Sequence, residues 1–172
     1  MTEIKKTAAA TPKRAKKPTS TRTVKDVAQL QLMVDDDRVQ PSLGSTGAAG
    51  IDLRLATSAA IAIAPGGMRV VGTGVRVAIP EGYVGKLYVR SSTGIKKRVT
   101  LANGTGIIDS DYRGEIKLAL MNNGSKPVFF EQYDRVAQLV VCRHFDYRGM
   151  VFVDELPETE RGEGGVGSTG DK

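Results

Sequence analysis

Gly106-Ile107-Ile108-Asp109-Ser110-Asp111-Tyr112-Arg113-Gly114-Glu115-Ile116 is the stretch on which the reading of this chain turns. Two apolar residues run into a carboxylate. A polar turn with one aromatic follows, and then the alternation Glu115-Ile116-Lys117-Leu118-Ala119-Leu120. The pattern predicts strand, turn, strand. A turn releases Asp109 and Tyr112 from strand alternation, so both can face one cleft. Taken alone, Asp-Ser-Asp is also an ordinary solvated turn, because turns favour these residues.

The chain around this stretch predicts mostly β structure. Val, Ile and Thr recur in short runs, and no long segment repeats at 3.6 residues. Glycine supplies 20 of 172 residues, above the usual ~7 %, so turns are many. The length predicts one domain with a real core. Cys142 is the single cysteine. It excludes an intrachain disulfide, and its apolar neighbours suit an inert core thiol. No apolar run is long enough to span a membrane and no signal peptide opens the sequence, so an intracellular protein, cytoplasmic or nuclear, is expected.

Charge divides the chain. Residues 1–25 hold eight Lys/Arg against Glu3, a net +7, and the remainder holds 17 basic and 18 acidic residues, a net −1. The tail, rich in Lys, Ala, Thr and Pro, is expected to be disordered. Pro12-Lys13-Arg14-Ala15-Lys16-Lys17-Pro18 suits an import-receptor contact, a polyanion-binding arm or a plain solubilising tail.

Strands are expected over Val27 to Val34, at Ile61–Ala64 and Met68–Val71 around the turn Pro65-Gly66-Gly67, over Gly74–Ile79, and over Tyr83–Val89. Asp35-Asp36-Asp37 suggests a metal, but adjacent side chains diverge in a loop, and a solvated turn is the expectation. Val99–Ala102, Asn103-Gly104 and Thr105–Ile108 predict a two-residue hairpin. Val128–Phe130 and Val136–Val141 predict buried strands.

Several segments have a possible chemistry beside an ordinary one. Asp52 interrupts the alternation after Ala49-Gly50-Ile51. It suits a paired carboxylate, or a hydrated Mg²⁺ of the kind that takes one or two carboxylates plus phosphates. Arg90-Ser91-Ser92-Thr93-Gly94 suits an oxyanion, with a fork of donors, hydroxyls and a glycine for close approach, and suits a polar turn equally. Gln138 is the polar residue inside Val136–Val141 and, if buried, needs partners. His144 is the only histidine, and a structural role is expected. Arg161-Gly162-Glu163-Gly164-Gly165-Val166-Gly167-Ser168-Thr169-Gly170 satisfies a dinucleotide fingerprint on paper. Too few residues follow for the helix that must hold the pyrophosphate, and Ser168 stands where a Walker lysine belongs. A Gly-rich arm that orders over a polyphosphate remains.

In fixed order, Ala49–Leu53, Arg90–Ser92, Asn103–Gly114, Asp134–Gln138 and Arg161–Gly170 together resemble the trimeric dUTPase family. The resemblance covers about residues 30–170 and leaves out the basic tail. It implies an all-β fold of jelly-roll or β-clip type, divided here as tail 1–25, core 26–158 and arm 159–172. It also implies a homotrimer with active sites shared between chains, and Mg²⁺-assisted hydrolysis of dUTP to dUMP and pyrophosphate. Asp109 would then be the general base for water attack on the α-phosphorus, and Asp52 would hold Mg²⁺ through water. Arg90, Ser91, Ser92 and Gln138 would meet phosphate. Asn103 and peptide groups of Gly106, Ile107 and Ile108 would read uracil. Tyr112 would lie under the deoxyribose, and Lys117 would touch substrate. Arg161 would pair with the γ-phosphate, with Val166, Gly167, Ser168 and Thr169 closing over the nucleotide. The family's arm usually carries Phe where Val166 stands. The related dCTP deaminases need a Glu that Ala119 replaces here. A fold-sharing protein that binds dUTP without turnover is the other alternative.

Overall fold

The computed structural model describes residues 28–165; the basic tail and Val166, Gly167, Ser168 and Thr169 lie outside the described residues. The fold is all-β and antiparallel, as expected. Its largest sheet has the order β2-β3-β12-β7-β9, built from Ser42–Leu43, Ile51–Arg54, Arg135–Arg143, Tyr83–Val89 and Gly106–Ile108. A second sheet has the order β5-β10-β8, from Met68–Gly72, Lys117–Asn122 and Val99–Leu101. Two further pairs join β1 (Gln31–Val34) to β6 (Val75–Ala78), and β11 (Val128–Phe130) to β4 (Ile61–Ile63).

One core collects the inward residues of all these sheets. Leu53, Leu87 and Leu139 enter it from the large sheet, Val71, Leu101, Leu118 and Leu120 from the second, and Ile63, Val75, Val77 and Phe130 from the pairs. The alternation noted after Glu115 is real: Ile116, Leu118 and Leu120 are fully buried, while Lys117 is exposed. Each such leucine contributes about 1.5–3 kcal/mol by leaving water.

The turns sit where the sequence places them, but most do not make hairpins. At Ala64-Pro65-Gly66-Gly67, the Gly67 N–H donates to the Ala64 carbonyl at 2.9 Å, and Gly66 has φ +70°. This is a type II turn, with proline at the second position and glycine supplying the positive φ at the third. The flanking β4 and β5 nevertheless pair elsewhere, with β11 and β10. The predicted Asn103-Gly104 hairpin is corrected in the same way. The chain does turn, with Gly104 N–H donating to the Leu101 carbonyl at 3.0 Å. But β8 pairs with β10 and β9 pairs with β7. Alternation tells which face a strand buries, not which neighbour takes its hydrogen bonds.

The first strand is shorter than expected and pairs with β6. Its Leu32 is exposed, whereas Leu30 and Val34 pack against the core. The three acids after it diverge. Asp35 pairs with Arg76 at 2.5 Å. Asp36 caps a short 3₁₀ turn and pairs with Arg38. The Arg38 side chain, then its backbone N–H, hold the Asp36 carboxyl at about 2. Being depressed on folding, this contact is in place above the usual carboxylate range and is lost as pH falls toward 2.

Asn122, at the end of β10, was not singled out by the sequence. It is fully buried. Its Nδ2 donates to the carbonyls of Ile63 and Lys126, both at 2.9 Å, and its Oδ1 accepts from Gly124 N–H at 2.8 Å. One side chain thus joins β4, β10 and the loop before β11. Asn122→Ala strips three bonds and leaves buried partners unpaired, so unfolding in urea is expected to show a loss of about 2–4 kcal/mol. Asn123→Ala, which loses only an exposed bond to Thr100, is expected to cost well under half of that.

Candidate functional site

The central strand β12 assembles the first half of the site. Its Gln138 lies in register with Asp52 on β3 and with Tyr88 on β7. Paired residues of antiparallel strands share a face, so Asp52 and Gln138 project together. Arg90 follows directly at the end of β7, and its N–H donates to the Val136 carbonyl at 3.0 Å. The chain then turns into a short π-helical turn, Ser92–Lys96.

Asp52 is almost fully buried and meets two guanidiniums. Arg90 Nε lies 3.1 Å from its Oδ1, and Arg135 Nη1 lies 3.2 Å from its Oδ2. Arg90 Nη1 also donates to the Arg135 carbonyl at 3.2 Å. Two cations on one carboxylate leave a local surplus of one positive charge. A cleft of about 250 Å³ opens here, lined by Asp52, Arg90, Ser91 and Gln138, with Ala49 and Gly50 on its other side. The surplus charge, the Ser91 hydroxyl and the Gln138 amide suit an anion. Gln138 is half-buried rather than buried, so its amide faces this cleft without the penalty of an enclosed polar group. Arg135 is the residue that sequence reasoning missed. Its position just before Val136 in the same strand as Gln138 was the available signal.

The same cleft tests whether a divalent cation suits the site. Among the described residues, no three His, Cys, Asp or Glu side chains converge. Asp52 offers one carboxylate whose oxygens keep a lone pair each beyond the arginine bonds. That donor set fits Mg²⁺ held mainly by a bound polyphosphate and water, with Asp52 reached through water.

The second half of the site is a separate cleft of about 260 Å³. Asn103, Gly106, Ile107, Ile108, Asp109, Tyr112 and Lys117 all line it, with Leu87, Glu115 and Ile116. The turn predicted after Ile108 does bring Asp109 and Tyr112 to one place. Asp109 accepts through its carbonyl from Tyr112 N–H at 3.2 Å. The Tyr112 hydroxyl donates to the Glu115 carbonyl at 3.0 Å. The tyrosine ring lies so close to Gly114 that a Cβ there would stand 2.3 Å from the Oη; glycine is needed at 114 to leave room for the ring. Glu115 is a second residue the sequence reading passed over. Its Oε1 accepts from Gly74 N–H at 2.9 Å, which ties the turn to the link between β5 and β6.

Asp109 is exposed and stands on a ridge. It also lines a wide opening of about 880 Å³ with Lys86, Asp111, Arg113 and His144. His144, for which a structural role is expected, donates its backbone N–H to the Gly82 carbonyl at 3.2 Å. It is exposed, with Nδ1 2.6 Å from the Phe145 carbonyl. Ser92 is exposed and lines neither smaller cleft. Arg161 also lies outside both, with its Nε donating to the Gly164 carbonyl at 2.9 Å.

Comparison with known proteins bears on this geometry. A family model described as dUTPase matches residues 37–170. The chain is 49% identical over 148 residues to the deoxyuridine 5'-triphosphate nucleotidohydrolase of Escherichia phage T5, covering 83% of this chain and 99% of that protein. It is 42% identical over 140 residues to the enzyme of the same name from Corynebacterium efficiens, covering 81% of this chain and 76% of that one. Among solved structures, it is similar to the dUTPase of Staphylococcus bacteriophage 80alpha with dUPNHPP, at TM-score 0.75 and 26% identity, covering 84% and 99% of the two chains.

The shared carboxylate can be tested by stability alone. Asp52→Ala leaves Arg90 and Arg135 facing each other without a counter-charge. Both guanidiniums are partly solvated, so the cost is discounted from that of a fully buried pair. Urea unfolding is expected to show a loss of about 1–2 kcal/mol at low salt, shrinking in molar NaCl as the two cations are screened.

Proposed function

The chain belongs to the dUTPase family, and from that premise we propose how its clefts divide the reaction. The protein hydrolyses dUTP to dUMP and pyrophosphate, which limits uracil incorporation into DNA and supplies dUMP for dTTP synthesis. The cleft of Asn103, Gly106, Ile107, Ile108 and Tyr112 takes the deoxyuridine. The Asn103 amide and the peptide groups of 106–108 read the uracil edge, and the ring of Tyr112 lies under the sugar and excludes a 2′-hydroxyl. Lys117 meets the same nucleotide from β10. The cleft of Asp52, Arg90, Ser91 and Gln138 takes the phosphates, and Ser92, which lines neither cleft in its own chain, is assigned to the same phosphates. That the residues assigned to the nucleoside line one cleft together with Asp109 is the observation that carries this reading.

The chemistry needs one proton acceptor. The Asp109 carboxylate removes a proton from water, the water oxygen bonds to the α-phosphorus, and the bond from that phosphorus to its bridging oxygen breaks. Pyrophosphate leaves and dUMP remains. Arg90 enters the phosphate cleft already oriented by Asp52, whose other oxygen is held by Arg135, so little ordering is left for the moment of binding. Mg²⁺, when bound on the triphosphate, neutralises charge on the leaving group. Arg161, Ser168 and Thr169 reach the outer phosphates from the C-terminal arm, and Val166 and Gly167 close over the base.

The two clefts share no lining residue, and a complete site is assembled between chains of a homotrimer. A run of exposed apolar side chains supports this: Met150, Val151, Phe152, Val153 and Leu156 follow the last strand and find no core in their own chain. Such a surface suits a partner copy. The trimer acts inside the cell, in the cytoplasm or nucleus.

Asp109→Asn keeps the shape and removes the base. It is expected to lower kcat by about 10²–10⁴-fold while dUTP, followed by calorimetry, still binds. Unchanged kcat would remove Asp109 from this role. Light scattering is expected to give three times the chain mass of 18.4 kDa; a monomer mass would leave the two clefts unjoined. Val166→Phe restores the aromatic usual at that position, where stacking is worth about 1–3 kcal/mol. It is expected to lower KM or raise kcat, and no change in either would contradict the role given to the arm.

A further inference from the structure

A groove of about 480 Å³ lies apart from the residues assigned to dUTP. Lys96, Lys97, Arg98 and Lys126 line it, with Ser125 and Phe129. No acid is among its lining residues. Among the described residues, Lys96, Arg98 and Lys126 make no ion pair. Outside residues 1–25 the chain is almost neutral, with 17 basic and 18 acidic residues, so this is segregation of charge and not a general excess. Two segments distant in sequence meet to make it. The Arg98 carbonyl accepts from Asn123 N–H at 2.9 Å, and Lys97 Nζ donates to the Phe129 carbonyl at 2.6 Å. Arg98 also has φ +54°, a conformation glycine would adopt without strain.

Beside the cations stand exposed apolar groups. Phe129 is 62% exposed on β11, and Ile95 is 80% exposed in the helical turn. Unopposed cations next to an open aromatic ring match the two needs of single-stranded nucleic acid: charge for the phosphodiesters and a surface for unstacked bases. A duplex offers the phosphates but not the base faces. We propose that this groove binds single-stranded nucleic acid, with Lys96, Arg98 and Lys126 on the backbone and Phe129 stacking a base.

The test uses the full chain and a labelled oligothymidylate, followed by fluorescence anisotropy across a salt series. The combined variant Lys96→Gln, Arg98→Gln, Lys126→Gln removes about three contacts, each worth a salt slope of ~0.7 on a single strand. It is expected to weaken binding tenfold or more and to lower the slope by about 2. Phe129→Ala is expected to weaken binding by roughly tenfold, and a duplex of matched length is expected to bind less tightly than the single strand. Neither variant touches a residue assigned to dUTP, so dUTP hydrolysis and the mass by light scattering are expected to stay as in the parent, which also shows both to be folded. The proposal is overturned if the combined variant binds like the parent, which would assign binding to the tail, or if Phe129→Ala changes nothing. It is equally overturned if the duplex binds as tightly as the single strand, if phosphatidylserine vesicles bind in place of the oligonucleotide, or if the combined variant changes the mass, which would make the groove a contact between chains.

Discussion

Strand β12 takes hydrogen bonds along both edges, from β3 on one side and β7 on the other. A strand paired on one side only can slip by a register and turn its side chains over; a strand paired on both cannot do so without breaking two ladders. This double pairing holds Gln138 opposite Asp52 and sets Arg90 beside Val136. The carboxylate with its two guanidiniums then follows from backbone geometry. The apolar side of the same strand, with Ala137 and Leu139 fully buried, locks the register from the core. Packing inside and chemistry outside are two faces of one constraint.

The two clefts rest on different supports. The cleft of Asp52, Arg90, Ser91 and Gln138 rests on paired strands and an ion pair that is already formed. The cleft of Asn103, Asp109 and Tyr112 rests on a turn, whose shape is held by the Tyr112 hydroxyl on the Glu115 carbonyl and by the Glu115 carboxylate on Gly74. Asp109 is attached to the turn and exposed on a ridge between a narrow cleft and a wide one. A general base needs access to water before reaction and exclusion of bulk water during it. In the proposed reaction, the exposed position of Asp109 gives water that access.

The sequence was most informative where local chemistry decides the outcome. Pro65-Gly66-Gly67 demands its turn, and the alternation after Glu115 demands one buried face. The turn from Asp109 to Gly114 was also legible, and the structure places Asp109 and Tyr112 in one cleft as that turn requires. The Asn103-Gly104 hairpin was misread because a turn signal reverses the chain without choosing its partner. Long-range pairing gave β8 and β9 to different sheets. Asn122 was invisible for a related reason. Nothing in a neighbour-by-neighbour reading marks an asparagine that joins three segments. Arg135 lies in a segment the sequence did mark, but its partner carboxylate on another strand was not legible there.

By itself, then, the sequence determined the all-β class, the turn positions, the faces of the strands, the separation of a basic tail from a neutral body, and the order of segments by which the family is known. The class, turns and faces depend on residues within a few positions of each other, and the rest can be read along the chain without knowing its contacts. Tertiary structure alone decided which strands are neighbours, that Asp52 lies between Arg90 and Arg135, that Asp52, Arg90, Ser91 and Gln138 line one cleft and Asn103, Asp109, Tyr112 and Lys117 another, and that Lys96, Arg98 and Lys126 share a groove with Phe129. These depend on contacts across many tens of residues, whose selection is made by closing one common core and not by any local preference.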